Sequence, residues 1–204
     1  MNNMKQVFGI DYGAKMAGTT AVAYYSQGNV RLFKSDKKKC ADTFLLETLE
    51  KYAQKGDVVS LDAPLSLPDV YTNRNIEKSS ANYHYRKADR EVGAMSPMFL
   101  GGLTARAMEL SAGLITSGLD VYEVYPKMVA ITESIDELYA KRKTDAGAIH
   151  EMTLMLESKF NFTLEQTPIN LHVFDAVLAM VAGLKIKSGE ASSWGDAHEG
   201  LIYA

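Results

Sequence analysis

Two short apolar runs that close on aspartate constrain this chain more than any other feature: Gln6-Val7-Phe8-Gly9-Ile10-Asp11 and Val58-Val59-Ser60-Leu61-Asp62. Each is too short for a helix and rich in β-formers, so each reads as a strand, the second closed by Ala63-Pro64. Between them, Thr19 to Tyr25 and Val30 to Phe33, separated by the turn Gln27-Gly28-Asn29, read as two further strands. Short turns between the first three runs imply an antiparallel meander. Asp42 to Gln54 then places Phe44, Leu45, Leu46, Leu49 and Tyr52 near helical spacing, with Asp42 as the expected N-cap.

The second half alternates. Leu65 to Phe99 carries Pro68, Asn73, Asn75, Asn82 and Pro97 without clear periodicity and reads as a long functional loop or partly helical insertion. Thr104 to Ile115 is predicted helical, and Leu119 to Tyr125 is a fifth strand stopped by Pro126. Met128 to Tyr139, Asp145 to Phe160 and Asn170 to Ile186 are amphipathic helices, the first two joined by the basic link Lys141-Arg142-Lys143. Strands separated by helices argue for parallel pairing in this half. The expected architecture is therefore α/β: a five-stranded mixed sheet, a three-strand antiparallel meander followed by two parallel strands, flanked by helices. One domain spans 1–204, with an insertion at about 65–99.

With 204 residues, 47% of them apolar and 23% charged, the chain has the composition of an ordinary soluble globular protein and room for one sizeable core. Disorder, collagen and coiled coil are excluded. Against 25 Asp and Glu stand 22 Lys and Arg, so no overall cationic field gathers nucleic acid and any polyanion must be held by a local patch. Cys40 is the only cysteine, which leaves no intramolecular disulfide and fits a reducing compartment. No run approaches the 18 or so apolar residues of a membrane span, and no signal peptide is read at the start, so a cytoplasmic location without membrane partners is expected.

In an α/β sheet, ligands collect at the carboxyl ends of strands. Asp11 and Asp62 end two strands there, and Asp175 interrupts the apolar helix Val173-Phe174-Ala176-Val177-Leu178, where an acid is seldom placed without a partner. Converging acids repel one another and need a divalent cation or shared protons; oxygen ligands with little His or Cys suit Mg²⁺ or Mn²⁺ rather than Zn²⁺. Glu123, near the end of the fifth strand, is a fourth candidate. Lys15, Arg86, Arg90 and Lys127 are candidates for binding substrate phosphate, although Arg86 and Asp89, three apart, would equally pair on a helical turn. The runs Lys37 to Lys39 and Lys141 to Lys143 read as solvated surface. His172 reads as a helix-start residue or a proton shuttle, and Tyr83-His84-Tyr85 as a packed aromatic clasp or a base-stacking surface.

The series Gly9-Ile10-Asp11-Tyr12-Gly13-Ala14-Lys15, Leu61-Asp62-Ala63-Pro64-Leu65-Ser66-Leu67-Pro68, Tyr122-Glu123-Val124-Tyr125-Pro126 and Phe174-Asp175-Ala176-Val177 resembles the predicted nucleases of RNase H-like fold known as domain of unknown function 429. Arg86-Lys87-Ala88-Asp89-Arg90 and Gly195-Asp196-Ala197-His198-Glu199-Gly200-Leu201-Ile202 resemble its insertion and C-terminal motifs, so the likeness covers nearly the whole chain. The first motif is also similar to the start of YqgF-type Holliday-junction resolvases. The resemblance implies two Mg²⁺ or Mn²⁺ ions, about 3.5 to 4 Å apart, held by Asp11, Asp62 and Asp175. It implies hydrolysis of a nucleic acid, DNA or RNA, to a 5′-phosphate and a 3′-hydroxyl, with Glu123 as an additional ligand or supporting group. Two alternatives stand beside it. Asp11-Tyr12-Gly13 through Gly18-Thr19 is similar to the phosphate-binding hairpin of the actin and sugar-kinase superfamily, which at this length would require a homodimer or partner to complete a nucleotide cleft. The other is a non-catalytic regulatory protein that keeps the fold.

Overall fold

The computed structural model describes residues 5–72 and 82–204; residues 1–4 and 73–81, the latter including Asn73 and Asn75 of the expected insertion, lie outside the described residues. Strands β1 (Val7–Asp11), β2 (Ala21–Ser26) and β3 (Asn29–Lys34) form the expected antiparallel meander, closed at Gln27 and Gly28, both at positive φ. Helix α1 (Ala41–Tyr52) leads into β4 (Val58–Asp62), which pairs parallel with β1 in the register Val7 to Val58 through Asp11 to Asp62. Asp42 does not cap α1. Cys40 holds that position without a side-chain cap, because the Asp42 carboxylate accepts from the Tyr12 hydroxyl (2.6 Å) and the Arg106 guanidinium (2.5 Å).

The insertion contains a 3₁₀ turn at Asp69–Tyr71 and the short helices α2 (Lys87–Val92) and α3 (Pro97–Leu100), the latter started by Ser96 accepting from the Met98 N–H and by Pro97 in the first turn. Helix α4 (Gly102–Thr116) returns to β5 (Asp120–Glu123), parallel to β4. The single helix expected over Met128 to Tyr139 is two, α5 (Pro126–Thr132) and α6 (Asp136–Lys141), broken where Ser134 takes a φ of 59° that helical backbone cannot hold. Helices α7 (Ala146–Phe160) and α8 (Leu171–Ser188) follow, with β6 (Thr163–Leu164) between them.

Among the described residues the main sheet has six strands, not five, in the order β5-β4-β1-β2-β3-β6. The sixth is the two-residue β6, parallel to β3 and too short to show any period. A separate hairpin, β7 (Ser193–Asp196) with β8 (Gly200–Tyr203), was also absent from the sequence expectation. Its β7 has Trp194 as its one large apolar residue and carries Gly195, so no apolar alternation announces it.

Each face of the sheet carries its own core. Phe8, Ile10, Val59 and Leu61 pack with Leu45, Leu49, Ala107 and Leu110 of α1 and α4. Val7, Ala21, Ala23 and Val58 pack under Phe174, Val177, Leu178 and Val181 of α8. Helix α8 is buried through its middle turns, and Gly9 explains how it comes so near the sheet: a Cβ there would lie 2.0 Å from the Met180 nitrogen and 2.3 Å from the Ala176 oxygen. Backbone meets backbone. Among the described residues, no helix is long and apolar enough to cross a membrane.

Candidate functional site

Period-two alternation in the strands decides which acids share a face. Val7, Gly9 and Asp11 face α8, as do Val58, Ser60 and Asp62, and the two aspartates are register partners at the carboxyl ends of neighbouring parallel strands. Asp175, one turn into α8, lies above them. Asn170 fixes the start of that helix by accepting from the Val173 N–H at 3.1 Å. The three predicted aspartates therefore come together.

Their electrostatics are strained. Burial, then the fields of Asp11, Asp175 and Glu123, hold the Asp62 carboxyl well above the usual carboxylate range. Burial and Asp11 push Asp175 up to about 6, against the opposing pull of Arg142, Tyr139 and His172. Burial raises Asp11 too, and His172 opposes it, with Nδ1 placed 2.7 Å from Asp11 Oδ2 to donate to the carboxylate. Oδ1 of Asp175 is buried with no hydrogen-bond partner among the described residues. Unpaired buried acceptors of this kind are costly.

Glu123 stands apart from the three aspartates. It pairs in register with Leu61, not with Asp62, so it leaves the sheet on the face opposite the aspartates. There it accepts from Arg86 at 2.5 and 2.7 Å and from the Leu65 N–H at 2.7 Å. Arg86 is wholly buried. Its guanidinium also donates to Asp89 at 2.6 Å and to the Ser66 hydroxyl at 2.7 Å, while its own N–H donates to Asp89 at 2.8 Å. The expected phosphate contact of Arg86 gives way to the pairing reading: every arm of the fork is committed to this clasp. Glu123 is its counter-ion, and burial lifts its carboxyl while Arg86 draws it back.

The other phosphate candidates are scattered. Lys15 is exposed and lines a separate groove with Cys40, Asp42 and Arg106, whereas Arg90 on α2 and Lys127 on α5 are exposed. Two groups were missed. Arg142, assigned to a solvated run, is half-buried, stacks 3.4 Å over the Tyr139 ring and lowers Asp175. Tyr139 is buried, and burial with Asp175 nearby raises its hydroxyl. A basic triplet carries no mark of which residue turns inward; only the aromatic three positions earlier hints at Arg142.

A cleft of about 230 Å³ opens at this edge of the sheet, lined by Asp11 and Asp62 on one side, Arg86 and Glu123 on the other, and Met95 and Leu100 at an apolar lip. The C-terminal hairpin pins the insertion beside it. Glu199 accepts from the Asp69 and Lys87 N–H groups at 2.9 and 2.6 Å, and Glu91 accepts from Gly195 at 2.7 Å.

Among the described residues, no group of three or more His, Cys, Asp or Glu side chains already stands arranged to hold a metal ion. The donor chemistry nonetheless fits a hard divalent cation: carboxylate oxygens, mutual repulsion and one orphaned oxygen on Asp175. Neither a family model nor a curated protein matches this chain.

Proposed function

We propose that this protein is a divalent-cation-dependent nuclease of RNase H-like fold that hydrolyses phosphodiester bonds of a nucleic acid. One observation carries the reading: Asp11 and Asp62 end adjacent parallel strands in register under Asp175, three acids in one another's field with a buried oxygen that has no hydrogen-bond partner among the described residues. The order of motifs along the chain, and a meander continued by parallel strands, support the fold assignment.

Asp11, Asp62 and Asp175 would hold the cations, which when bound supply the charge that makes water a nucleophile and eases departure of the leaving oxygen. The chain's own residues do the rest. His172, bonded to Asp11 and half-exposed, orients that carboxylate and stands where it can exchange a proton with solvent. In the balanced reaction, water adds to phosphorus, the bond to the 3′ oxygen breaks, and that oxygen takes up a proton to become a hydroxyl. The Arg86 clasp keeps the insertion closed along the cleft.

The nucleotide-handling alternative is disfavoured by Gly13. Its N–H, which would face a phosphate, donates to the Thr20 hydroxyl at 3.0 Å, and a Cβ there would lie 2.0 Å from Thr19 Oγ1.

Cleavage of a labelled panel of single-stranded, duplex, hybrid and branched DNA and RNA, in Mg²⁺ and in Mn²⁺, tests the reading. Cleavage should vanish with chelator and in Asp11→Asn. Cleavage equal in wild type and Asp11→Asn, or none at high enzyme in both metals, overturns it.

A further inference from the structure

Beside the cleft, the insertion presents rings to solvent that the proposed chemistry does not use. Phe99, Tyr83 and Tyr71 are 64%, 53% and 48% exposed, and Met95, which also lines the cleft, is 61% exposed. Isolated exposed apolar residues are ordinary, but the rings here fall into two contacting groups. Tyr71 meets Tyr83 edge-on at 6.2 Å, His84 lies against Phe99 at 5.5 Å, and Tyr85 meets Phe99 edge-on at 5.8 Å.

The array is tied to the backbone. The Tyr71 hydroxyl donates to the Tyr83 carbonyl at 3.1 Å, and the Ser96 hydroxyl donates to the His84 carbonyl. Asn82 Oδ1 accepts from the His84 and Tyr85 N–H groups at 3.0 and 2.8 Å. The next residue is Arg86, locked in its clasp. Rings held this way lose little freedom on binding a ligand.

We infer that the rings of Tyr83, His84 and Phe99 form a stacking platform for unpaired nucleobases, so that the cleft takes single-stranded nucleic acid or a single-stranded end. The inference deepens the nuclease reading and rests on it for the placement of the strand. Three observations choose this occupant. The rings flank the cleft: Leu100, next to Phe99 on α3, and Met95, next to the Ser96 that holds the His84 carbonyl, both line it, so a strand whose backbone lies at the aspartates brings its neighbouring bases toward the rings. Every base has a π-face whatever its identity, which suits a surface of rings with few directional polar groups. A chain of net charge -3 has no overall cationic field, so base stacking would supply affinity that duplex binders draw from phosphates, and a duplex hides those faces.

The test is binding of a fluorescein-labelled 12-nucleotide single strand, measured by anisotropy in chelator so that no cleavage occurs, beside a duplex of the same sequence and an abasic strand of equal charge. The single strand should bind at least about tenfold more tightly than either comparison. Phe99→Ala and Tyr83→Ala should each weaken it about fivefold or more, and Phe99→Trp should keep wild-type affinity. Equal affinity for the abasic strand, or unchanged affinity in both alanine variants, overturns the platform. So does self-association in wild type that Phe99→Ala dissolves, which would assign the rings to a second copy, or tight binding of an apolar peptide without strand binding. Because binding is read without catalysis, strand binding that persists while Asp11→Asn and wild type cleave alike sinks the nuclease reading alone. Cleavage that depends on Asp11 without base-dependent binding sinks the platform alone.

Discussion

Two groups of acids stand at one edge of the sheet, on its opposite faces. Glu123 and Asp89 surround the guanidinium of Arg86, and their charges are met within the fold at 2.5 to 2.6 Å. Asp175 has the sidelong pull of Arg142, Tyr139 and His172, whereas burial and the neighbouring acids act on Asp62 in one direction, and both carboxyls are raised. The first group is complete without any further component and closes the insertion onto the sheet. The second holds carboxyls that the fold raises and leaves without a full counter-ion, at the place proposed for the cation.

Breaking the complete group should have the largest effect. Arg86→Met leaves two carboxylates buried without a cation and should cost about 3 to 5 kcal/mol in urea unfolding, partly recovered when Glu123→Gln is added. A loss below about 1 kcal/mol would mean that the clasp does not hold the insertion.

The incomplete group should respond in the opposite direction. An aspartate raised from 3.8 to about 6 makes the folded state the better proton binder, so stability falls as pH rises from about 4 to 6. In chelator at pH 8, Asp175→Asn should therefore be more stable than wild type by about 3 kcal/mol, and the decline over that pH range should shrink. Equal stability of the two proteins at pH 8 would show that Asp175 carries no such cost.

Supplying the missing charge sharpens the contrast further. At a hundred times its dissociation constant, Mg²⁺ or Mn²⁺ should stabilise wild type by about 2.7 kcal/mol, measured by thermal unfolding at pH 8, and should leave Asp62→Asn nearly unmoved. A similar response in both proteins would place the cation elsewhere. The smallest effect is expected at the edge of the complete group: Glu199→Ala removes two acceptors of backbone N–H groups and should cost about 1 kcal/mol, with a lower unfolding temperature as readout.

The difference between the groups also marks what could be read from the chain. Asp11, Asp62 and Asp175 stand out because each interrupts or ends an apolar run, and the runs themselves placed β1, β4 and α8. Glu123 ended a strand as well, yet its role depends on parity: counting from Val121, packed in the α1 and α4 core, puts Glu123 on that face. Arg86 and Asp89 are three apart and suggest a pair, but Glu123 lies 37 residues away and no local pattern joins them. Strand β6 and the β7–β8 hairpin are short or glycine-bearing, and their pairing comes from the tertiary context that receives them.

The absence of a side chain at Gly9 has a mechanical meaning. With the backbone of α8 resting on the backbone of β1, the separation of Asp175 from Asp11 is gauged by main-chain atoms, which have fixed dimensions, and not by side chains that can adopt new rotamers. The sheet serves as a reference plane and the helix as a part clamped flat against it. Thickness added at that plane shifts one jaw of the acidic site relative to the other, and no adjustment further along the helix restores the setting.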